Sequence, residues 1–168
     1  MSEPIEIERK YIIELPDVGA MQGCEGYTKS EILQIYLKSE RGVTHRIRRR
    51  AFESEIQYTE TKKIRLDALS AIENEKAITK EEFELLQSNK AADTVPISKV
   101  RHTFVFLGQV FEVDVYPNWK KSCILETELS ERNTEVTFPP FINIIKEVTG
   151  IKGYSNAQMS RSFPLETV

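Results

Sequence analysis

Hydrophobic and polar residues alternate along most of this chain. In "IEIERKYII" (5–13), Ile5, Ile7, Arg9, Tyr11 and Ile13 fall on one side of an extended segment, and Glu6, Glu8, Lys10 and Ile12 on the other. The same period recurs in "EILQIYLKS" (31–39), "VTHRIRRR" (43–50), "EIQYTETKKI" (55–64) and "SAIENEKA" (70–77). It returns in "PISKVRHTFVF" (96–106), "QVFEVDVY" (109–116) and "SCILETELS" (122–130), so eight strands are predicted. Leu107-Gly108 predicts a tight hairpin between the sixth and seventh. Two stretches follow a helical pattern instead. "ITKEEFELLQSNKAA" places Thr79 as N-cap with Glu82 three residues on, and turns Phe83 and Leu86 toward the fold. "PPFINIIKEVTG" predicts a helix begun by Pro139-Pro140, striped by Phe141, Ile144, Ile145 and Val148, and stopped by Gly150. Ser155 or Asn156 is suited to cap one last short turn. With no repeat or linker, residues 1–168 are expected to form one α+β domain.

The polar faces carry a second pattern. Arg46, Arg48 and Arg50 share a side of the third strand, and Tyr58, Glu60 and Lys62 a side of the fourth. Glu73 and Glu75, Lys99 and Arg101, Glu112 and Asp114, and Glu126 and Glu128 repeat the device. Solvated sheet faces also alternate, but they usually mix Thr, Ser, Gln and Lys, whereas these repeat like charges at i, i+2. A closed eight-stranded antiparallel barrel accounts for both sides, with its apolar face outward under helices and its charged face lining a lumen. Barrels of about eight strands enclose room for one small ligand. Each unpaired ion buried there costs several kcal/mol, so the charges must pair with one another or with a ligand. Carboxylate pairs suit Mg²⁺ or Mn²⁺, and arginine and lysine pairs suit a polyanion such as a phosphate chain.

Totals narrow the alternatives. A net charge of −3 disfavours sequence-independent nucleic-acid binding. Cys24 and Cys123 are too few for a disulfide scaffold or a zinc site. The polar start after Met1 carries no secretory signal, and no apolar run is long enough for a membrane helix, which predicts a cytoplasmic protein. Arg9 on the outward side argues against an outer-membrane barrel. His45 and His102 fall opposite the charged faces and are assigned no chemistry, and no nucleophile triad is present.

The ordered set "EIERK" (6–10), "LQIYL" (33–37), "RIR" (46–48), "TETKK" (59–63), "ENE" (73–75), "KVR" (99–101), "FEVDVY" (111–116), "LETEL" (125–129) and "KGYSN" (152–156) resembles the CYTH superfamily, the triphosphate tunnel metalloenzymes. The resemblance spans nearly the whole chain. It implies a tunnel that binds a small-molecule triphosphate with Mg²⁺ or Mn²⁺; no nucleic-acid or membrane partner is expected from the charge and apolar runs, and a homodimer is left open. It makes Glu6, Glu8, Glu126 and Glu128 the metal carboxylates, and Lys10, Arg46, Arg48, Lys62, Lys99, Arg101 and Lys152 the phosphate ligands. Glu6, Glu8, Lys10 and Glu128 are the residues it makes catalytic. Glu73, Glu75, Glu112 and Asp114 are implied either as second-metal ligands or as partners of the basic residues. Ala71 departs from the pattern, since many bacterial members carry arginine there; Arg50 is a candidate to compensate. Metal-dependent triphosphate hydrolysis is the expected activity. Adenylate cyclisation, as in the class IV cyclases, is the enzymatic alternative, and a non-catalytic polyphosphate- or nucleotide-binding module is the other.

Overall fold

The computed structural model describes residues 5–167. Its strands are β1 (Ile5–Glu14), β2 (Glu25–Tyr36), β3 (Val43–Ala51), β4 (Ile56–Arg65), β5 (Ser70–Ala77), β6 (Ile97–Phe106), β7 (Gln109–Val115), β8 (Ser122–Glu128) and β9 (Ile144–Glu147). Three short helices accompany them: α1 (Val18–Gln22), α2 (Lys80–Leu86) and α3 (Asn156–Met159). The sheet runs β5-β4-β3-β2-β6-β7-β8-β1, and pairing of β1 with β5 closes it into an eight-stranded antiparallel barrel. That closure is short, joining Ile5, Glu6 and Ile7 to Ile72, Ala71 and Ser70. Leu107 and Gly108 both adopt positive φ, 49° and 77°, as the β6–β7 hairpin requires. None of the helices is long and apolar enough to cross a membrane.

The segment expected as a helix over 139–150 instead contributes β9. Below its pairing with β5, β1 would leave a bare edge, and buried backbone groups must find partners. β9 supplies them through Ile144↔Ile13, Lys146↔Ile12 and Glu147↔Tyr11. Val148 then donates its amide to the Lys10 carbonyl at 2.9 Å, and Asn143 accepts from the Glu14 amide at 2.9 Å. Ile144, Ile145, Val148 and Thr149 are β-branched, so propensity does not oppose the exchange. Gly150 follows at φ 71°, where an added Cβ would lie 2.6 Å from that of Ala68, so only glycine lets this turn close on the β4–β5 turn.

The outward apolar face is covered, though mostly not by helix. α2 is shorter than expected; capped by Thr79, whose Oγ1 accepts from the Glu82 amide at 3.0 Å, it buries Phe83 against Ile35, Leu37, Ile47 and Tyr58. On the opposite wall, Tyr11, Phe104, Phe111 and Leu125 are covered by Met21 of α1 and by Val136, Phe138, Phe141 and Ile142 from the coiled stretch before β9. β2 also starts six residues before its expected first residue. Its early part, with Thr28 and Ser30 inside and Tyr27 and Lys29 outside, has no apolar side to betray it.

Candidate active site

Residues opposite one another in an antiparallel ladder point to the same side, so the register lays out the lumen. Glu8 faces Glu128, Lys10 faces Glu126, and Glu126 faces Glu112. Asp114 faces Arg101, and Arg101 faces Ser30. Gln34 faces Arg48, Tyr36 faces Arg46, Thr61 faces Glu75, and Ala71 faces Glu6. One ring of side chains therefore holds Glu6, Glu8, Lys10, Arg46, Arg48, Arg50, Glu73, Glu75, Lys99, Arg101, Glu112, Asp114, Glu126 and Glu128.

Two sequence-expected residues are placed elsewhere. Lys62 pairs with His45 and Asn74 on the outer side and is exposed; Lys63, one residue on, faces the lumen opposite Thr44 and Glu73. Lys63 Nζ lies 3.5 Å from Glu6 Oε1 and 3.7 Å from Glu73 Oε2. Tyr58, Glu60 and Lys62 had suggested the charged side, yet Tyr58 packs on Phe83 with ring centroids 5.1 Å apart, which turns that side out. The inner side reads Thr59, Thr61, Lys63, and the signal for it was the aromatic residue needing cover. Lys152 is exposed and its side chain has no hydrogen-bond or ionic partner among the described residues. Its neighbours enter in its stead: the Tyr154 carbonyl accepts from Lys10 Nζ at 3.1 Å, and Asn156 Oδ1 accepts from Lys99 Nζ at 3.4 Å.

β6, β7 and β8 neutralise themselves. Arg101 donates Nε to Asp114 Oδ1 at 2.7 Å, Nη2 to Oδ2 at 2.8 Å, and Nη1 to Glu112 Oε2 at 2.9 Å. Lys99 Nζ lies 2.7 Å from Asp114 Oδ2, with both side chains fully enclosed. Burial alone pushes Asp114 upward, but Arg101 and Lys99 outweigh it and hold the carboxyl ionised far below its ordinary range. Lys10 and Glu126 are 3.2 Å apart; burial raises Glu126, and Lys10 brings it down to about 2. Glu112, Asp114 and Glu126 are thus each occupied by a basic partner.

β3 is different. Arg48 gives Nε and Nη2 to the amide oxygen of Gln34 at 3.0 and 2.6 Å, a neutral acceptor. Arg50 gives Nε to Ser30 Oγ at 2.9 Å and stacks 4.7 Å over Phe52. Arg46 Nε is buried with no partner. None of the three is ion-paired among the described residues. Burial, then Arg46 and Arg101, push Arg48 down to about 9, a measure of how poorly its charge is compensated.

An acidic seam of β1, β8 and β5 shows the opposite excess. Burial, hydrogen bonding to Glu73 and Glu8 and the Glu8 charge push Glu6 up to about 10. Burial, Glu8 and Glu73 also raise Glu128. Lys63 is the one cation paired with these four carboxylates among the described residues. Four carboxylates gathered around one paired cation are a donor set suited to a hard divalent cation. Among the described residues, no three of them converge on a finished coordination shell.

Ala71 leaves a gap in the basic lining that Arg50 does not fill. Arg50 is level with Gln57 on β4, whereas Ala71 is level with Arg65. The separation along β4 is roughly 26 Å at strand rise. Arg65, which faces Ala71, is exposed, so Lys63 is the nearest partly buried lumen cation. The two histidines lie outside: His45 Nε2 is 2.6 Å from Glu60, and His102 Nδ1 is 2.8 Å from the Tyr27 hydroxyl. The lumen also has an apolar floor. Tyr36, Ile97, Tyr116 and Ile124 pack at one end with Trp119, Met159, Tyr154 and Phe163.

No protein-family model matches the sequence, and no curated protein sequence matches it significantly. Solved structures do. The inorganic triphosphatase NE1496 is similar at 25% identity and TM-score 0.60, over 95% of this chain and 96% of that one. PH1819 from Pyrococcus horikoshii OT3 is similar at 20% identity and TM-score 0.54, over 76% of this chain and 80% of that one. A Bacillus halodurans protein named as a candidate adenylate cyclase shares the fold at 17% identity and TM-score 0.53, over 78% and 83%. The closed barrel and its ordered ring of lumen charges match what the resemblance to the CYTH superfamily implies, and the likeness to the triphosphatase NE1496 over nearly the whole chain supports that resemblance.

Proposed function

We propose that the chain is a metal-dependent triphosphatase that binds an inorganic or organic triphosphate in its lumen. One observation carries this: Arg46, Arg48 and Arg50, none ion-paired among the described residues, share a lumen with the clustered carboxylates Glu6, Glu8, Glu73 and Glu128, among which Lys63 is the one paired cation. A single anion bearing a divalent cation satisfies both. The activity named for NE1496 agrees with it.

The β3 arginines would grip phosphate oxygens, Arg as a bidentate fork, and Lys10, Lys99 and Arg101 would add cations already aimed by their carboxylate partners. Glu6, Glu8, Glu73 and Glu128 would hold Mg²⁺ or Mn²⁺, which neutralises charge on the phosphate chain and acidifies water. Phosphoryl transfer needs chiefly position and charge neutralisation, so the absence of a nucleophile triad is no obstacle. Glu112, Asp114 and Glu126 serve to orient the cations.

The test is phosphate release from tripolyphosphate, ATP, GTP and thiamine triphosphate, with Mg²⁺ and Mn²⁺ in parallel. Orthophosphate is expected, and Glu8→Gln should abolish the metal-dependent part while leaving the circular dichroism unchanged. Cyclic AMP with pyrophosphate from ATP would overturn hydrolysis in favour of cyclisation. Tight binding without turnover of any triphosphate would leave a binding module.

A further inference from the structure

An ammonium has three protons to place, and two of the lumen lysines, Lys10 and Lys99, place two of theirs in the same manner. Lys10 Nζ has one carboxylate, Glu126 at 3.2 Å, and one acceptor from the C-terminal turn, the Tyr154 carbonyl at 3.1 Å. Lys99 Nζ has one carboxylate, Asp114 at 2.7 Å, and one acceptor from the same turn, Asn156 Oδ1 at 3.4 Å. Neither has a further hydrogen-bond acceptor among the described residues. The Tyr116 hydroxyl donates to Asn156 Oδ1 at 2.8 Å and so fixes which end of that amide faces Lys99. The turn is itself anchored. Ser155 caps α3 by accepting from the Gln158 amide at 3.1 Å. Further on, the Glu166 carboxylate accepts from the amides of Lys120, Lys121 and Ser122 and from Ser122 Oγ, at 2.6–3.1 Å. Phe163 and Trp119 pack between these two points, with ring centroids 5.5 Å apart.

We propose that Asn156, oriented by Tyr116, is a positioning residue that holds the enclosed Lys99 ammonium, and with it the Asp114–Arg101 pair, in place beneath the triphosphate, while the Tyr154 carbonyl aims the remaining N–H of Lys10 at it. This rests on the triphosphate-binding function proposed above. A purely structural plug would need only the apolar contacts of Met159 and Phe163. A positioning turn needs its two acceptors, and each is spent on a lumen lysine. Asn156 never touches the phosphate; it acts through Lys99.

The experiment measures tripolyphosphate binding by calorimetry and its hydrolysis by phosphate release, on the full chain. Asn156→Ala should raise both Kd and KM about tenfold with kcat changed less than about twofold, because a misplaced ammonium weakens ground and transition states alike. Asn156→Asp keeps the acceptor oxygen and should recover the hold on Lys99, yet its added charge competes with phosphate, so its Kd should lie between those two. Tyr116→Phe keeps the floor packing and should shift Kd in the same direction by less. In a Lys99→Met background, Asn156→Ala should add nothing, since the residue it acts through is gone. Should Asn156→Ala fail to fold, Tyr116→Phe alone and in the Lys99→Met background decides by the same comparison. An unchanged Kd and KM in Asn156→Ala, or an equal loss with Lys99 already removed, overturns the positioning role while leaving the proposed function intact. Failure of the unaltered protein to bind tripolyphosphate at all overturns both.

Discussion

β3 presents Arg46, Arg48 and Arg50 to the lumen, and β6 presents Lys99 and Arg101 at the same two-residue spacing, yet the two strands meet different neighbours. β6 lies beside β7, whose Asp114 and Glu112 take three charge-assisted hydrogen bonds from Arg101. β3 lies between β2 and β4, which offer Gln34, Ser30, Thr59 and Thr61, all neutral. The same sequence device therefore becomes scaffold on one wall and bait on the other. A row of cations grips a ligand most strongly where the adjoining strand withholds its anions, because an ion pair has already committed part of its charge and its donors.

The comparison can be broken in four places. Arg101→Ala strands Asp114 and Glu112 without their partner, and should cost about 3–5 kcal/mol of stability. Urea denaturation reads this, and an unshifted midpoint would remove Arg101 from the scaffold. Arg48→Met removes a buried cation with no carboxylate to strand. It should leave the urea midpoint equal or higher, while tripolyphosphate binding weakens by about 2–3 kcal/mol, the worth of charged hydrogen bonds. Equal losses of stability in Arg48→Met and Arg101→Ala would erase the distinction between the strands. Lys63→Ala should slow triphosphate hydrolysis about tenfold, whereas exposed Lys62→Ala stays within about twofold, as for surface charges. A reversed order would mean that the β4 register is wrong. The smallest effect lies in acid. Glu126 is held at about 2 against burial by Lys10, below its ordinary carboxylate value. Its contribution is present in full above that ordinary value and is lost as pH falls toward about 2. Stability measured over that window should decline, and Lys10→Met should flatten the decline.

Much of the fold was legible because strand alternation is local. Seven of the eight barrel strands begin within one residue of their expected first residue, since each has an apolar side that must face a cover. β2 escaped because its first six residues lack such a side, and β9 because β-branched residues at helical spacing suit either structure until a neighbour demands an edge. Among site residues, Lys62 and Lys63 were the ambiguous pair. Adjacent lysines reverse sides with a one-residue choice of phase, and only the packing of Tyr58 on Phe83 sets that phase. Asn156 stood in the closing motif and was offered as a helix cap, but its hold on Lys99 could not be seen, because that contact spans 57 residues of chain.

The sequence by itself determined which faces are charged, that the charges come as like pairs, and that one small-ligand barrel can hold them. Those follow from the two-residue period and from the cost of burying ions. Only the tertiary structure decided which acid meets which base. Pairing in a closed sheet depends on strand order and stagger, and these are set by the closure of β1 on β5 rather than by any single strand.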